Sequence, residues 1–248
     1  DPERYLVVDG TQSIDAIHNE ITKRIALLPA ISHEIKKPKL KKTIKKNSDL
    51  NNNKSEVTHV YFYGAGCGVD TPQQRIKKVF DEIFVHAEII IKEDTYAAVY
   101  ATVQPEEEAI VCILGTGSNS CYYDGHEVSE IVPALGHILG DEASGSYFGK
   151  HLISQFLYKK LPAELAADFN RTYKLSKAQI FENVYNKPHA NVYLASFMKF
   201  INRHYHHEYV TEMIQHGMNE FIKIHVCCYP EYKLVKTHFI GSISKIFE

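Results

Sequence analysis

Two glycine-rich turns and one carboxylate hold most of the chemistry that this sequence offers. The first turn, Gly115-Thr116-Gly117-Ser118-Asn119-Ser120, follows directly on the apolar run 109–114. Glycine lets the backbone come close to a ligand. Successive amide N–H groups in such a turn can form a concavity for an anion, and Thr116 and Ser118 add hydroxyl donors. The second turn, within 135–145, places Asp141 and Glu142 after Gly140. Paired acids there suit the hydroxyls of a sugar or a metal ion, and equally the positive N-terminal end of a helix opening near Ser144. Asp94 stands just beyond the apolar run 87–91. A carboxylate at a strand end, facing a turn of small residues, can take a proton from a hydroxyl nucleophile. An aspartate in that place also caps helices. Taken one at a time, each feature is a turn or a cap as readily as a site.

Three further stretches carry candidate groups. Gly64-Ala65-Gly66-Cys67-Gly68 ends a strand-like run, 57–63, and is a second place for close backbone approach. Gly241-Ser242 joins a strand at 234–240 to a helix, and its backbone could lie against a flat base or form a tight turn only. Arg203-His204-Tyr205-His206-His207 has the residue types of a metal site, but zinc sites draw on a second cluster that is not evident here. The surface end of a helix is the simpler reading.

These residues need elements to hold them. Strands are expected at 5–8, 57–63, 87–91, 109–114 and 121–123, with helices at 15–28, 71–84 and 96–102 between the earlier ones. Strand and helix alternating in this way is the pattern of an α/β layered domain, whose ligands sit beyond the C-terminal ends of the strands. After Lys150 the chain turns helical, with helices expected at 144–159, 162–170, 176–185, 191–205 and 208–227. The acidic connector 105–108 divides a domain at 1–105 from one at 106–248.

Composition narrows the partners. The chain has 248 residues, a formal charge of −2 and 44% apolar residues. No global field recruits nucleic acid, and no apolar run approaches a membrane span. The lysine-rich segment 36–46 has no interleaved aromatics and reads as a solvated surface. The five cysteines form no paired spacing, which points to a reducing, cytoplasmic compartment. The first residues, Asp1-Pro2-Glu3-Arg4, do not read as a signal peptide.

Together the motifs resemble one family. Ile113-Leu114-Gly115-Thr116-Gly117-Ser118-Asn119-Ser120 is similar to the second phosphate-binding hairpin of N-acetylglucosamine kinases and the related BadF/BadG/BcrA/BcrD-type ATPases, of the actin–hexokinase–Hsp70 superfamily. Gly136-His137-Ile138-Leu139-Gly140-Asp141-Glu142-Ala143-Ser144-Gly145 resembles that family's segment ending in G-D-E-x-S. Tyr61-Phe62-Tyr63-Gly64-Ala65-Gly66-Cys67 and Phe239-Ile240-Gly241-Ser242 are similar to its first-domain strand-turn and its adenosine-side turn.

The resemblance implies an α/β fold of two ribonuclease-H-like (actin-like ATPase) domains around a cleft, the second helix-rich. It implies ATP with Mg2+ as cofactors, a sugar substrate and transfer of the γ-phosphoryl to a sugar 6-hydroxyl. No nucleic-acid or membrane partner is implied, and a homodimer is compatible with it. By the same resemblance Asp94 is the general base. Gly115, Thr116 and Gly117 hold phosphate, and Gly241 and Ser242 hold the adenosine side. Ser118, Asn119, Gly136, His137 and Asp141 line the sugar site, Glu142 joins them as the second of the paired acids, and no metal ligand is assigned.

Three departures qualify this. The family's opening D-x-G-x-T-K hairpin is not found, and the chain stops early in the helix after Ser242. The family's T-x-G-x-N-P reads Thr11-Gln12-Ser13-Ile14-Asp15-Ala16, so its sugar-contacting asparagine is Asp15. These departures make a non-catalytic sugar-binding protein on the same fold one alternative, and the other branch of the resemblance, an ATPase activator of a dehydratase, is the second.

Overall fold

Val60 and Phe62 alternate with outward residues along one short run, and Ile89 and Ile91 do the same along another. That period of two makes half-buried strands of both. A computed structural model of the chain describes residues 53–67 and 70–246. The strand expected at 5–8, the helix at 15–28, the lysine-rich segment and Asp15 lie outside those residues.

The chain divides into two units: Asp1–Glu107 with Tyr123–Val128, and Glu108–Tyr122 with Ser129–Glu248. In the first, β1 (His59–Tyr63) and β2 (Glu88–Lys92) pair in parallel, His59 opposite Glu88 and Tyr63 opposite Lys92. Parallel neighbours need a crossover, and helix α1 (Asp70–Asp81) supplies it. Ile76, Val79 and Phe80 recur at helical spacing along α1 and pack with Phe84 on the buried side chains of both strands. Gln73 donates to the Ile91 carbonyl at 2.7 Å and ties helix to strand.

Helix α2 (Asp94–Thr102) follows β2 at once. It buries small side chains, Ala97 and Ala98 beside Val99, and lies against β1. This corrects the expected start at residue 96. Asp94 is the first residue of the helix rather than the tail of the strand, because extended Glu93 already serves as its N-cap. Helix α1 likewise stops at Asp81 instead of 84, where the amides of Ile83 and Phe84 both turn back to the Phe80 carbonyl.

The second unit is built on β3 (Ala109–Leu114), β4 (Ser118–Tyr123), β5 (Val128–Ser129) and β6 (Lys236–Ile240), in the order β5-β4-β3-β6. Strand β3 is almost wholly buried, and its unbroken apolar run is what a strand covered on both faces requires. It pairs with β6 in parallel, Ala109 opposite Lys236 and Ile113 opposite Ile240. Three residues join β3 to β4, a connection that only an antiparallel hairpin can make. Strand β4 begins at Ser118, three residues before the expected 121.

Helices α3 (Gly136–Leu139), α4 (Gly145–Leu157), α5 (Ala163–Tyr173), α6 (Lys177–Phe181), α7 (Ala190–Ala195), α8 (Met198–Arg203), α9 (Glu208–Phe221) and α10 (Ser242–Ile246) complete the unit. Their core is aromatic: the Phe169 ring lies 4.5 Å from Phe156, 4.7 Å from Tyr173, 5.6 Å from Phe197 and 5.3 Å from Phe200. Each fully buried phenylalanine is worth about 1.5–3 kcal/mol against exposure.

The long helices expected at 191–205 and 208–227 are both interrupted. The first breaks between α7 and α8, where the Ser196 hydroxyl donates to the Tyr193 carbonyl at 2.6 Å and competes with the regular ladder. The second loosens after Phe221 into a π-turn, Ile222–Val226. Among the described residues no helix is long and apolar enough to cross a membrane.

Candidate functional site

The hairpin between β3 and β4 sorts its backbone groups by direction. Its carbonyls are occupied: Gly115 accepts from the Gly145 amide at 2.8 Å, Thr116 from Ser146 at 3.0 Å and Gly117 from the Gly115 amide at 2.9 Å. The amides of Thr116 and Gly117 have no partner among the described residues. A turn whose acceptors are satisfied and whose donors are free is suited to an anion.

The N-terminus of α4 is correspondingly occupied. Gly145 and Ser146 give their amides to the hairpin, and the Tyr147 amide goes to the Ser144 hydroxyl at 3.1 Å. The helix end thus holds the hairpin.

Asp141 sits directly beneath this turn. A Cβ on Gly117 would lie 2.8 Å from its Oδ2, so only glycine admits the carboxylate there. Oδ1 accepts from the Ser118 amide at 3.3 Å and Oδ2 from the Ser146 hydroxyl at 3.5 Å. Burial pushes the Asp141 carboxyl above its usual range, and the Ser118 amide and the nearby His137 pull it back. The Ser118 hydroxyl is buried without a hydrogen-bond partner among the described residues.

Glu142 turns the other way and reaches His225, Nε2 to Oε2 at 3.1 Å. Non-glycine residues in left-handed backbone flank it, Asp141 at φ 59° and Ala143 at φ 54°, a conformation that persists only where surrounding contacts hold it.

Gly241 follows β6 at φ 118°, and a Cβ there would come within 2.2 Å of the Leu114 carbonyl. The turn at 241–242 therefore abuts the residue from which the hairpin springs. The structure brings Gly115, Thr116, Gly117, Ser118, Asp141, His137 and Gly241 into one neighbourhood of the second unit. Ser242 opens α10 and is exposed. Asn119 is less simply placed: alternation along β4 sends its side chain to the face opposite Ser118 and Ser120, so Ser118 and Asn119 do not line one surface together. Gly136 opens the short α3 at φ 70°.

Asp94 belongs to the first unit. The Gly64–Cys67 turn closes beside it: the Gly64 amide donates to the Lys92 carbonyl and the Cys67 amide to the Gly64 carbonyl, both at 3.1 Å. Glu93 takes the Gly66 amide, and burial raises its carboxyl. Burial pushes Asp94 itself up to about 6, the Glu93 charge adds to this, and the amides of Asp94 and Thr95 oppose it. The carboxylate is ionised at neutral pH yet basic enough to accept a proton. Thr95 next to it is buried, and its hydroxyl has no partner among the described residues.

Other sequence candidates find structural roles. His204 and His207 bond the carboxylates of Asp168 and Glu164 on α5, each at 2.9 Å. Among the described residues no group of three or more histidines, cysteines or acids is arranged around an ion. Cys112 and Cys121 are wholly buried in β3 and β4, which removes them from the surface where an activator's shared cluster would have to form. Residues that the sequence did not single out are His225, Tyr229 and Ser146. Only the hydroxyl of Ser146, two residues after Ser144, offered any local signal.

No family model and no curated protein matches the sequence. Among solved structures, the putative N-acetylglucosamine kinase of Porphyromonas gingivalis aligns at a TM-score of 0.72 and 31% identity, over 98% of this chain and 77% of that one. A second, the putative N-acetylglucosamine kinase of Chromobacterium violaceum, aligns at 0.55 and 16% identity over 71% of this chain and 63% of that one, a likeness of fold.

Proposed function

Because this chain belongs to the N-acetylglucosamine kinase family of the actin–hexokinase superfamily, we propose that it transfers the γ-phosphoryl group of ATP to the 6-hydroxyl of N-acetylglucosamine or a related amino sugar. The observation that carries this reading is the hairpin at Gly115-Thr116-Gly117, whose carbonyls are all engaged and whose Thr116 and Gly117 amides are free among the described residues. A phosphate oxygen matches that pair of donors. Gly241 and Ser242 take the adenosine side. His137, Asp141 and Glu142 present the acceptors and donors that sugar hydroxyls need, with Ser118 beside them.

In this reading Asp94 removes the proton from the sugar 6-hydroxyl as its oxygen bonds to the γ-phosphorus. The bond from that phosphorus to the β,γ-bridging oxygen breaks, and ADP leaves with the electron pair. Such transfers depend mainly on positioning and on stabilising charge. Magnesium, when bound, neutralises phosphate charge. The described residues gather no donor set for it, so it is placed with the nucleotide and no step passes through it here.

The test is ATP consumption by the purified protein against a panel of amino and neutral hexoses. Turnover with an amino sugar, abolished in Asp94→Asn, is expected. Absence of turnover with every sugar would sink the reading.

A further inference from the structure

Glu142 makes one side-chain hydrogen bond among the described residues, and its partner is far away in the sequence. His225 is 3% exposed and sits in the π-turn after α9. An ionised carboxylate only accepts, so the Nε2–H of His225 donates to Glu142 across 3.1 Å. The opposite ring nitrogen, Nδ1, lies 3.5 Å from the Ser120 hydroxyl on β4. Tyr229 closes the arrangement: its hydroxyl donates to the Ser120 carbonyl at 3.0 Å and lies 3.3 Å from the Ser120 hydroxyl. The Phe221 ring stacks on the imidazole at 4.7 Å and 20° and fixes its plane. π-turns concentrate at functional positions, and this one delivers a single ring between the Asp141-Glu142 loop and the strand that bears Ser118.

We propose that His225 is a positioning residue that sets the affinity of the site for its sugar. This rests on the amino-sugar kinase reading above. The two acids of the loop have separate anchors. Asp141 is held by Ser118 and Ser146 beneath the phosphate-side hairpin, and Glu142 is held by His225. The left-handed residues on either side of Glu142 give the loop a shape that its own backbone does not favour. The His225 contact keeps the Glu142 carboxylate in one place, so a sugar hydroxyl meets an oriented acceptor and no ordering cost falls on binding.

Two conservative variants separate this role from simple packing. In His225→Gln the side-chain amide stands near the place of Nε2 and can still donate to Glu142. In His225→Asn it stands near the place of Nδ1, keeps the Ser120 side and falls short of Glu142. Initial rates against N-acetylglucosamine and against ATP are measured for both, with calorimetric titration of the sugar into the parent and each variant. The expected result is a sugar KM raised about tenfold in His225→Asn, the scale of one lost hydrogen bond to a charged group. Most of that loss is restored in His225→Gln, with the ATP KM unmoved in both.

Glu142→Ala serves as the check from the other partner, because an amide oxygen at that position would still accept from His225. It should raise the sugar KM by itself, and His225→Asn added to it should have little further effect. Equal sugar KM values for the two His225 variants, or sugar and ATP KM values rising together, overturn the proposal. A parent that binds N-acetylglucosamine while its variants bind equally well overturns this inference alone. A parent that binds no amino sugar removes the function it rests on, and the inference with it.

Discussion

Asp94 carries a cost in stability when ionised. Its carboxyl is pushed up to about 6 from an ordinary 3.8, chiefly by burial and then by Glu93. A folded-state value above the unfolded one means that the group adds stability at low pH and loses it as pH rises from about 4 through about 6. At pH 8 the ionised side chain therefore costs up to about 3 kcal/mol. Asp94→Asn should then be more stable than the parent at pH 8 and no more stable near pH 4, while turning over no sugar. Denaturant melts at the two pH values measure this. In the parent, kcat/KM should climb about tenfold per pH unit below 6 and level off above it. The sequence placed this acid at the end of a strand, whereas extended Glu93 caps the helix and makes Asp94 its first residue. Its protonation was not legible in the sequence, since the burial that chiefly raises its carboxyl exists only once the unit has folded around it.

At the level of elements, two glycines set the spacing between parts. Gly117 leaves room for the Asp141 carboxylate, and an alanine there would place its Cβ 2.8 Å from Oδ2. Gly117→Ala should push the carboxylate off the Ser118 amide and raise the ATP KM severalfold, with a modest loss of stability. Gly241 is tighter, with a backbone carbonyl at 2.2 Å from a built Cβ and a φ of 118°. Gly241→Ala should destabilise the second unit by at least about 2 kcal/mol, because neither the backbone angle nor the neighbouring strand can yield cheaply. Thermal melts and steady-state rates separate the two outcomes. The hairpin and both glycine turns could be read from sequence because turn chemistry is local. The break between α7 and α8 could not. A Cβ at Gly149 would lie 1.9 Å from the Leu194 carbonyl, so α4 and α7 meet backbone to backbone, and α7's course is set by a neighbour far earlier in the chain.

For the molecule as a whole, the two units take their functional groups from very different ranges of sequence. Asp94 and the turn beside it are assembled from one β-α-β crossover. The second unit joins Ser120 to His225 across 105 positions, a distance over which no spacing rule operates, and for that reason His225 and Tyr229 left no mark that could be read in advance. The pairing of Ala109 with Lys236 has the same character. Contacts that distant are slow to form, because the intervening chain must be closed before they stabilise anything. Until β6 arrives, the apolar strand β3 has an open edge, the kind of surface on which other chains assemble. Refolding followed by nucleotide binding should therefore lag behind refolding followed by helix content, and a ribosome still short of Lys236 displays a hairpin with only one flank built.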